Sequence, residues 1–446
     1  MELTSITPID GRYRRKTQEL SRYLSEFALI KNRVEIEIRY LIALSKSKII
    51  RKLTSEEILF FENIYEKFSL KDAIIIKKLE NETRHDIKAV EKFLIIKLKT
   101  TTLNDFTEYI HICLTSEDIN NIAYRMMLKT AINEVLLEKL FMIKKSLWEI
   151  SNKYKKIPMI ARTHGQPAVP TTFGKELFVF YKRVEIEISL LGKQKLTGKL
   201  NGAVGNYNSF AFVIPNTNCP IFAKQFVNSF GLKPNLITTQ INSFEDIAEL
   251  FQNLQRINGI LLDLDQDCWR YISDDWLKLA VKKTEVGSST MPQKVNPIDF
   301  ENSEGNLTLA NGTIQTMIDK LYISRLQRDL SNSTVIRNMG TALGFCLMGY
   351  KSLLNGLTRI DINKEKILED LNKDWSILSE GLQTYLRSKK FKDSYYFVSS
   401  FTKGRKLDEK SWKELINSLK IPEADREKLL KLTPQNYIGV AKKLVS

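Results

Sequence analysis

Apolar residues recur at steps of three and four along several long stretches of this chain, and that spacing predicts helices rather than strands. No proline stands between Pro8 and Pro158, between Pro234 and Pro292, or between Pro297 and Pro422, so long helices are permitted there. Phe244, Ile247, Leu250, Leu254, Ile257, Leu261, Leu264, Cys268, Ile272, Trp276 and Leu279 form one stripe. It predicts a single helix of well over about thirty residues, with Gly259 a place for a kink. A second stripe runs Leu128, Ile132, Leu136, Leu140, Ile143, Leu147 and Ile150, and a third follows Pro170 to about Leu191. Residues 303–327 and 332–355 predict two more helices. Residues 111–357 are therefore expected to form a long-helix bundle. Shorter helices are expected in flanking domains at 1–110 and 358–446, with a composition break at Thr358 to Asn363. A capping pattern, Thr54 to Glu57, opens one of these helices and another follows HDIKAVE (85–91). Thr433 followed by Pro434 predicts a last short helix. Alternating strand patterns are nearly absent, so the expected fold class is all-α.

With 446 residues and 43% apolar content the chain can bury a large core. Its net charge of +16 raises the question of a nucleic-acid partner. Lys and Arg alternate with Glu and Asp in stretches such as EKFLIIKLK and EADREKLLKL, which reads as solvated helix face instead, so no nucleic acid is expected. A positive field still assists capture of an anionic small molecule. No apolar run approaches the ~18 residues that span a bilayer, and MELTSITPIDGRYRRK lacks the order of a signal peptide. The expectation is a cytoplasmic protein without a membrane partner. Cys113, Cys219, Cys268 and Cys346 are scattered, so neither a disulfide framework nor a metal site is expected.

Residues 287–297 read GSSTMPQKVNP. Ser288 and Ser289 follow Gly287, and Lys294 and Asn296 follow within a segment bounded by Pro292 and Pro297. Hydroxyl, ammonium and amide donors on stiffened backbone can surround a dianionic carboxylate, although a polar surface turn has the same composition. The three histidines each stand near a polar segment: His85 in HDIKAVE, His111 just before TSEDINN (115–121), and His164 in RTHGQPA (162–168). GKLNGAVGNYN (198–208) lacks the phosphate-loop pattern and reads as a turn or a mobile connection.

GSSTMPQKVNP resembles the signature loop of the fumarase/aspartase superfamily. Together with its extension IDFENSEGN, the segments HDIKAVE, TSEDINN, RTHGQPA, GKLNGAVGNYN and SRLQRDLSNSTVIRN resemble the adenylosuccinate lyase family within it. The likeness runs from DGRY at 10–13 to NYIG at 436–439. It implies a fumarase/aspartase-like elongated helical bundle with two smaller helical flanking domains, in a homotetramer whose active sites are shared between subunits. Long helices that are apolar along a stripe also need more cover than two small flanking domains supply.

The resemblance further implies a β-elimination without metal or cofactor. Adenylosuccinate would give AMP and fumarate, and the succinylaminoimidazolecarboxamide ribotide of purine synthesis would give its amine, AICAR, and fumarate. Such a step needs a base for a carbon acid, an acid for the leaving nitrogen and stabilisation of the carbanion. By the family's motifs Ser288 is the base and His164 the acid. Glu301 orients that histidine, while Lys294 and Asn296 hold the succinyl carboxylates with Thr115 and Ser116. His85 and Asp86, with Arg84 before them, lie beside the substrate, His85 as a binder of phosphate or carboxylate. Arg12, Tyr13, Arg328, Ser333, Thr334 and Arg337 match nucleotide-binding positions, and Gln240 and Asn302 complete the contacts. Outside those motifs, Arg12, Arg328 and Arg337 read equally as surface ion-pair residues, and Thr115 and Ser116 as helix caps.

Two positions depart from the family. Gln293 stands where adenylosuccinate lyases usually have His, in the form seen in argininosuccinate lyases, which makes those enzymes the alternative reading; RTHGQPA and TSEDINN oppose it. Arg84 stands where Asn is more frequent, adding a charge beside His85. An inactive bundle protein is a further alternative, opposed by the presence of every matched side chain.

Overall fold

Helix follows helix without interruption through Ser116–Ala131, Ile132–Leu136 and Leu137–Tyr154, the middle five residues adopting the π form. The computed structural model of the chain describes residues 2–280, 290–291 and 293–446. Among them helices dominate, and the strands form only three two-stranded sheets, so the all-α expectation is met. Two compact units emerge, one of Met1–Leu140, Glu187–Gly259 and Gly305–Gly349, the other of Phe141–Ile186, Ile260–Glu304 and Tyr350–Ser446.

In the first unit the helix Glu26–Lys46 packs on Ser116–Ala131. Ser25 caps it by accepting the Ala28 N–H at 3.2 Å. Val34, Ile38, Leu41 and Leu44 on that helix are fully buried, and Tyr40 sits within 6.4 Å of the rings of Phe210, Phe222 and Phe226. Its hydroxyl donates to the Ile112 carbonyl at 2.8 Å, so the polar end of the ring is satisfied inside the core. Polar groups also reach this core in pairs. Arg125 grips Asp246 through Nε and Nη2, both at 2.9 Å. His111 Nδ1 lies 2.5 Å from Glu37 Oε1. Burial pushes the imidazole pKa down, but the Glu37 carboxylate outweighs it and holds it above its ordinary value.

The second unit contains a hairpin, Pro158–Thr163 and Gln166–Thr172, and a short antiparallel pair, Leu277–Leu279 with Ile360–Ile362. Trp276 donates to Asp370 at 2.8 Å from just before that pair. Against the upward push of burial, Lys373, Trp276 and Lys366 hold the Asp370 carboxyl at about 2. The helix Phe173–Lys193 begins so close to the backbone near Ser151 and Lys155 that only glycine fits at position 174.

Several sequence expectations need correction. The long stripe ends as a helix at Ser273 instead of running to Leu279. Asp275 adopts φ 60°, Trp276 N–H reaches back to Tyr271 O at 2.8 Å and Asp275 N–H to Ile272 O at 3.0 Å. That is a Schellman termination, with the Trp276 ring stacked on Tyr271 as its apolar contact. Helical spacing persists in the sequence beyond it because Trp276 is buried for another reason. The helix expected at 303–327 is Ile298–Leu321, and that expected at 332–355 is divided into Ser331–Ile336 and Met339–Arg359. Asn338 makes the division: its carbonyl accepts Ala342 N–H, starting a new helix. Thr433 and Pro434 open only a turn, closed by reciprocal bonds of Thr433 and Asn436, and the last helix is Ala441–Leu444. The hairpin at 158–172 has no counterpart among the sequence expectations. The Thr54 capping box stands as predicted, whereas the helix expected after HDIKAVE begins within that segment, at Asp86, with His85 as its cap.

A Cβ on Gly174 would lie 2.2 Å from the Ser151 carbonyl oxygen. Gly174→Ala is therefore expected to lower stability by about 2 kcal/mol, read as a fall in urea midpoint at constant slope; an unchanged midpoint would refute the backbone contact. His111 makes a pH-dependent contribution. Since its folded pKa is raised, its stabilisation is complete below the unfolded value of about 6.5 and fades as pH rises through the folded pKa. His111→Asn should thus cost on the order of 1 kcal/mol more at about pH 6 than at about pH 9 in denaturant titrations.

Candidate active site

Three separated segments of the first unit meet at Arg328. Its Nη1 lies 3.4 Å from Ser116 Oγ and 3.3 Å from Gln240 Oε1, and its Nη2 lies 3.8 Å from Glu117 Oε2. Burial pushes the Glu117 carboxyl above its usual range despite Arg328, Lys199 and Arg125 around it. Thr115 and Ser116 stand at the N-terminus of their helix, where the helix dipole favours an anion. Asp118 fixes that terminus: it accepts Thr115 N–H at 2.9 Å, Asn201 N–H at 3.0 Å and Gly202 N–H at 3.2 Å, and pairs with Lys199 Nζ at 3.0 Å. The glycine-rich segment is thus a turn tied to the helix start, its Lys199 and Asn201 fully buried.

A second cluster forms around Asp86. His85 caps the helix Asp86–Leu98, its Nδ1 accepting Lys88 N–H at 3.2 Å. In the neutral ring this places the proton on Nε2, which leaves the exposed His85 one donor beyond the cap. Asp86 Oδ2 receives Arg33 Nη2 at 2.6 Å and lies 3.7 Å from Arg337 Nη2. Burial pushes the Asp86 pKa up, but Arg33, the Ile87 N–H, His85 and Arg337 together hold it below its usual range. Arg33, Asp86, Tyr124 and Arg337 border a cavity of about 210 Å³. Arg84 precedes the cluster in a left-handed conformation, φ 53°, closing the helix Leu70–Thr83. Arg12 is exposed and Tyr13 half-buried at the start of the helix Arg14–Leu24; Ser333 is half-buried and Thr334 exposed on Ser331–Ile336.

In the second unit His164 is at the hairpin tip. Thr163 pairs with Gln166, so His164 and Gly165 form a two-residue loop, with φ 53° and 74°. Positive φ at both positions is the type I′ geometry, which glycine takes freely and histidine at a cost. The exposed imidazole is held out from a rigid stem. Glu301 lies on the first turn of Ile298–Leu321 and accepts Trp269 Nε1–H at 3.2 Å; among the described residues no hydrogen bond joins it to His164. Lys294 is exposed and its N–H donates to Met291 O at 3.1 Å. Asn296 is half-buried and Asn302 exposed. Ser288 lies outside the described residues, which resume at Thr290.

Sequence reasoning missed the residues that hold these groups. Arg359, with its side chain only 5% exposed, contacts the chain on both sides of the signature segment. Its carbonyl accepts Ala280 N–H at 2.8 Å, its Nη2 donates to Ala280 O at 3.2 Å and its Nη1 to Asp299 Oδ2 at 2.8 Å. Arg33 and Lys199 were likewise overlooked. The usable signal was charge on an apolar face: Arg33 falls three residues from Ile30 and from Ile36 on a buried stripe. No cluster of His, Cys, Asp and Glu suited to a metal is present among the described residues.

Comparison with known proteins extends this geometry. A family model described as Lyase matches residues 11–312, and one described as Adenylosuccinate lyase C-terminal matches residues 324–438. The adenylosuccinate lyase of Buchnera aphidicola subsp. Acyrthosiphon pisum is 44% identical, with 100% of this chain and 99% of that protein covered. The adenylosuccinate lyase of Escherichia coli K12 is 41% identical, covering 98% of this chain and 97% of its own length. Among solved structures, a fumarate lyase from Mesorhizobium sp. BNC1 superposes with TM-score 0.78 at 17% identity, covering 97% of this chain and 96% of the other. The β-carboxy-cis,cis-muconate cycloisomerase of Acinetobacter calcoaceticus superposes with TM-score 0.72 at 14% identity, covering 96% of each. These two establish the fold.

Removing the Arg359 side chain would leave Asp299 without its guanidinium and the Ala280 carbonyl without its side-chain donor, while the backbone bond from Ala280 N–H stays. Arg359→Met is expected to destabilise the protein by about 3 kcal/mol, measured by denaturant titration. A loss below about 0.5 kcal/mol would mean that the contacts at both ends of the signature segment carry no weight.

Proposed function

Because the chain belongs to the adenylosuccinate lyase family, and so to the C–N lyases of the fumarase/aspartase superfamily, we propose how its residues divide the elimination. Adenylosuccinate and the succinylaminoimidazolecarboxamide ribotide are the substrates. The step breaks a Cβ–H bond and a C–N bond and forms the double bond of fumarate. Ser288 takes the Cβ proton, and His164 gives a proton to the departing nitrogen, leaving AMP or AICAR.

A serine hydroxyl is a weak base at neutral pH, so Ser288 needs neighbours that favour its alkoxide. Lys294 supplies a cation from the same segment, and with Asn296 it holds the carboxylate on which carbanion charge accumulates. Thr115 and Ser116 donate to the same succinyl group, and Asn302 completes its contacts. Glu301 orients His164. Arg12, Tyr13, Arg328, Ser333, Thr334 and Arg337 bind the nucleotide, with guanidinium forks on its phosphate. Gln240 contacts the base, and His85, with Arg84 and Asp86 beside it, donates from Nε2. The observation that carries this reading is the convergence of Ser116, Gln240 and Arg328 at one guanidinium.

Argininosuccinate cleavage is the weaker alternative, since the C-terminal family model belongs to adenylosuccinate lyase and a guanidino substrate would give the phosphate-binding arginines no phosphate.

The reading includes a homotetramer with sites shared between subunits, each chain ordered as an N-terminal domain at 1–110, a bundle domain at 111–357 and a C-terminal domain at 358–446. Exposed Phe141 (49%), Trp148 (43%) and Ile186 (59%) support it, as apolar surface awaiting cover. No described helix is long and apolar enough to cross a membrane, and we place the enzyme in the cytoplasm.

Purified protein should release fumarate from adenylosuccinate, followed by the fall in purine-band absorbance. His164→Ala and Ser288→Ala should each lower kcat by at least about a hundredfold while the thermal melt is retained. Full activity in either variant removes that residue from the mechanism, and turnover of argininosuccinate alone reverses the choice of substrate.

A further inference from the structure

We propose that Arg33 is a positioning residue: by neutralising Asp86 it keeps the Arg337 guanidinium available to the anionic groups of the nucleotide. The inference rests on the reading of Arg337 as a nucleotide-binding residue and adds the device that frees it.

One carboxylate stands between two guanidiniums. Arg33, its side chain 4% exposed, closes on Asp86 Oδ2 at 2.6 Å, while Arg337, 59% exposed, stays 3.7 Å from the same oxygen, beyond hydrogen-bond reach. Arg33 is itself aimed by Asn120, whose Oδ1 accepts its Nε–H at 2.9 Å. Asp86 Oδ1 is taken by the Ile87 N–H at 2.9 Å. The other carboxylates bordering the same cavity, Glu26 and Glu80, are both claimed by Lys77, at 2.6 and 2.8 Å. Each acid of the cavity thus has a short-range cation other than Arg337, whose own hydrogen-bond partner in the cavity is the Tyr124 hydroxyl, a neutral group that leaves the 59% exposed guanidinium with its charge unmatched at short range. Without Arg33, the half-buried Asp86 would draw in its next cation, because a carboxylate in a low-dielectric setting is costly to leave uncompensated. That cation is Arg337, and a guanidinium locked to Asp86 no longer meets a phosphate or carboxylate.

The test is AMP binding by calorimetry, with thermal melts on each variant. Arg33→Gln is expected to weaken AMP by about tenfold or more. Adding Asp86→Asn should restore much of that loss, because the acid that captures Arg337 is gone; a merely structural role for Arg33 predicts a double variant at least as poor as the single one. Arg337→Gln should lose affinity and become insensitive to Arg33→Gln. Should Arg33→Gln fail to melt cooperatively, Arg33→Lys replaces it: the charge is kept but the fork is lost, so AMP weakens by a smaller factor that Asp86→Asn again relieves. Unchanged affinity in the Arg33 variant that folds, or a double variant no better than the single, overturns the proposal. If the variants show this AMP pattern yet the wild type releases no fumarate from adenylosuccinate, the assigned reaction falls and the role of Arg33 stands.

Discussion

A carboxylate with no exposed surface must be compensated from within, and Asp118 is compensated by four groups drawn from two places in the chain. Its partners are the Thr115 N–H in its own first turn, the Asn201 and Gly202 N–H groups, and the Lys199 ammonium, which is equally buried. Removing any one would leave charge or a polar group buried without full compensation, which is far more costly than losing a surface pair. The geometry of Thr115 and Ser116 follows from that constraint, because the helix end carrying them cannot shift without breaking contacts on the other side. Arg328 is then fixed in turn, since it reaches both Ser116 and Gln240.

The second unit solves a similar problem with the opposite charge. Arg359 is buried and distributes its donors between the Ala280 carbonyl and the Asp299 carboxylate, one before and one after the signature segment. A guanidinium suits this task better than an ammonium, since its planar fork serves two acceptors in fixed directions. The short strand pair Leu277–Leu279 with Ile360–Ile362 adds backbone bonds at the same place. Catalytic chemistry borne on connecting segments depends on such rigid roots.

What the sequence made legible followed periodicity and short polar motifs. Long helices were readable because apolar spacing of three and four extends over many residues, and the Thr54 capping box because its two partners are three residues apart. Boundaries were not. Trp276 kept the helical spacing although the chain had already reversed at Asp275, since burial against Tyr271 selects the same residue type as a helix stripe would. The hairpin at 158–172 was hidden by its three prolines, Pro158, Pro167 and Pro170, which argue against strand pairing in a local reading. The candidate site was legible as motifs, and its supports were not: Arg33, Lys199 and Arg359 act across long sequence separations, through contacts that leave no local pattern.

A place in local structure does not exclude a chemical role for the same side chain. His85 is a helix cap, yet capping uses only Nδ1 and thereby assigns the proton of the neutral ring to Nε2, which stays available as a donor. His164 sits in a turn, yet a type I′ turn that places histidine at φ 53° gains nothing in stability over one with Asn or Gly there. That cost supports the proposed use of the imidazole at the tip, carried on a two-residue loop. Local structure and chemistry therefore draw on different atoms of one side chain. Where a cap or turn residue is more costly than the commonest choice for that position, the excess cost points to the function.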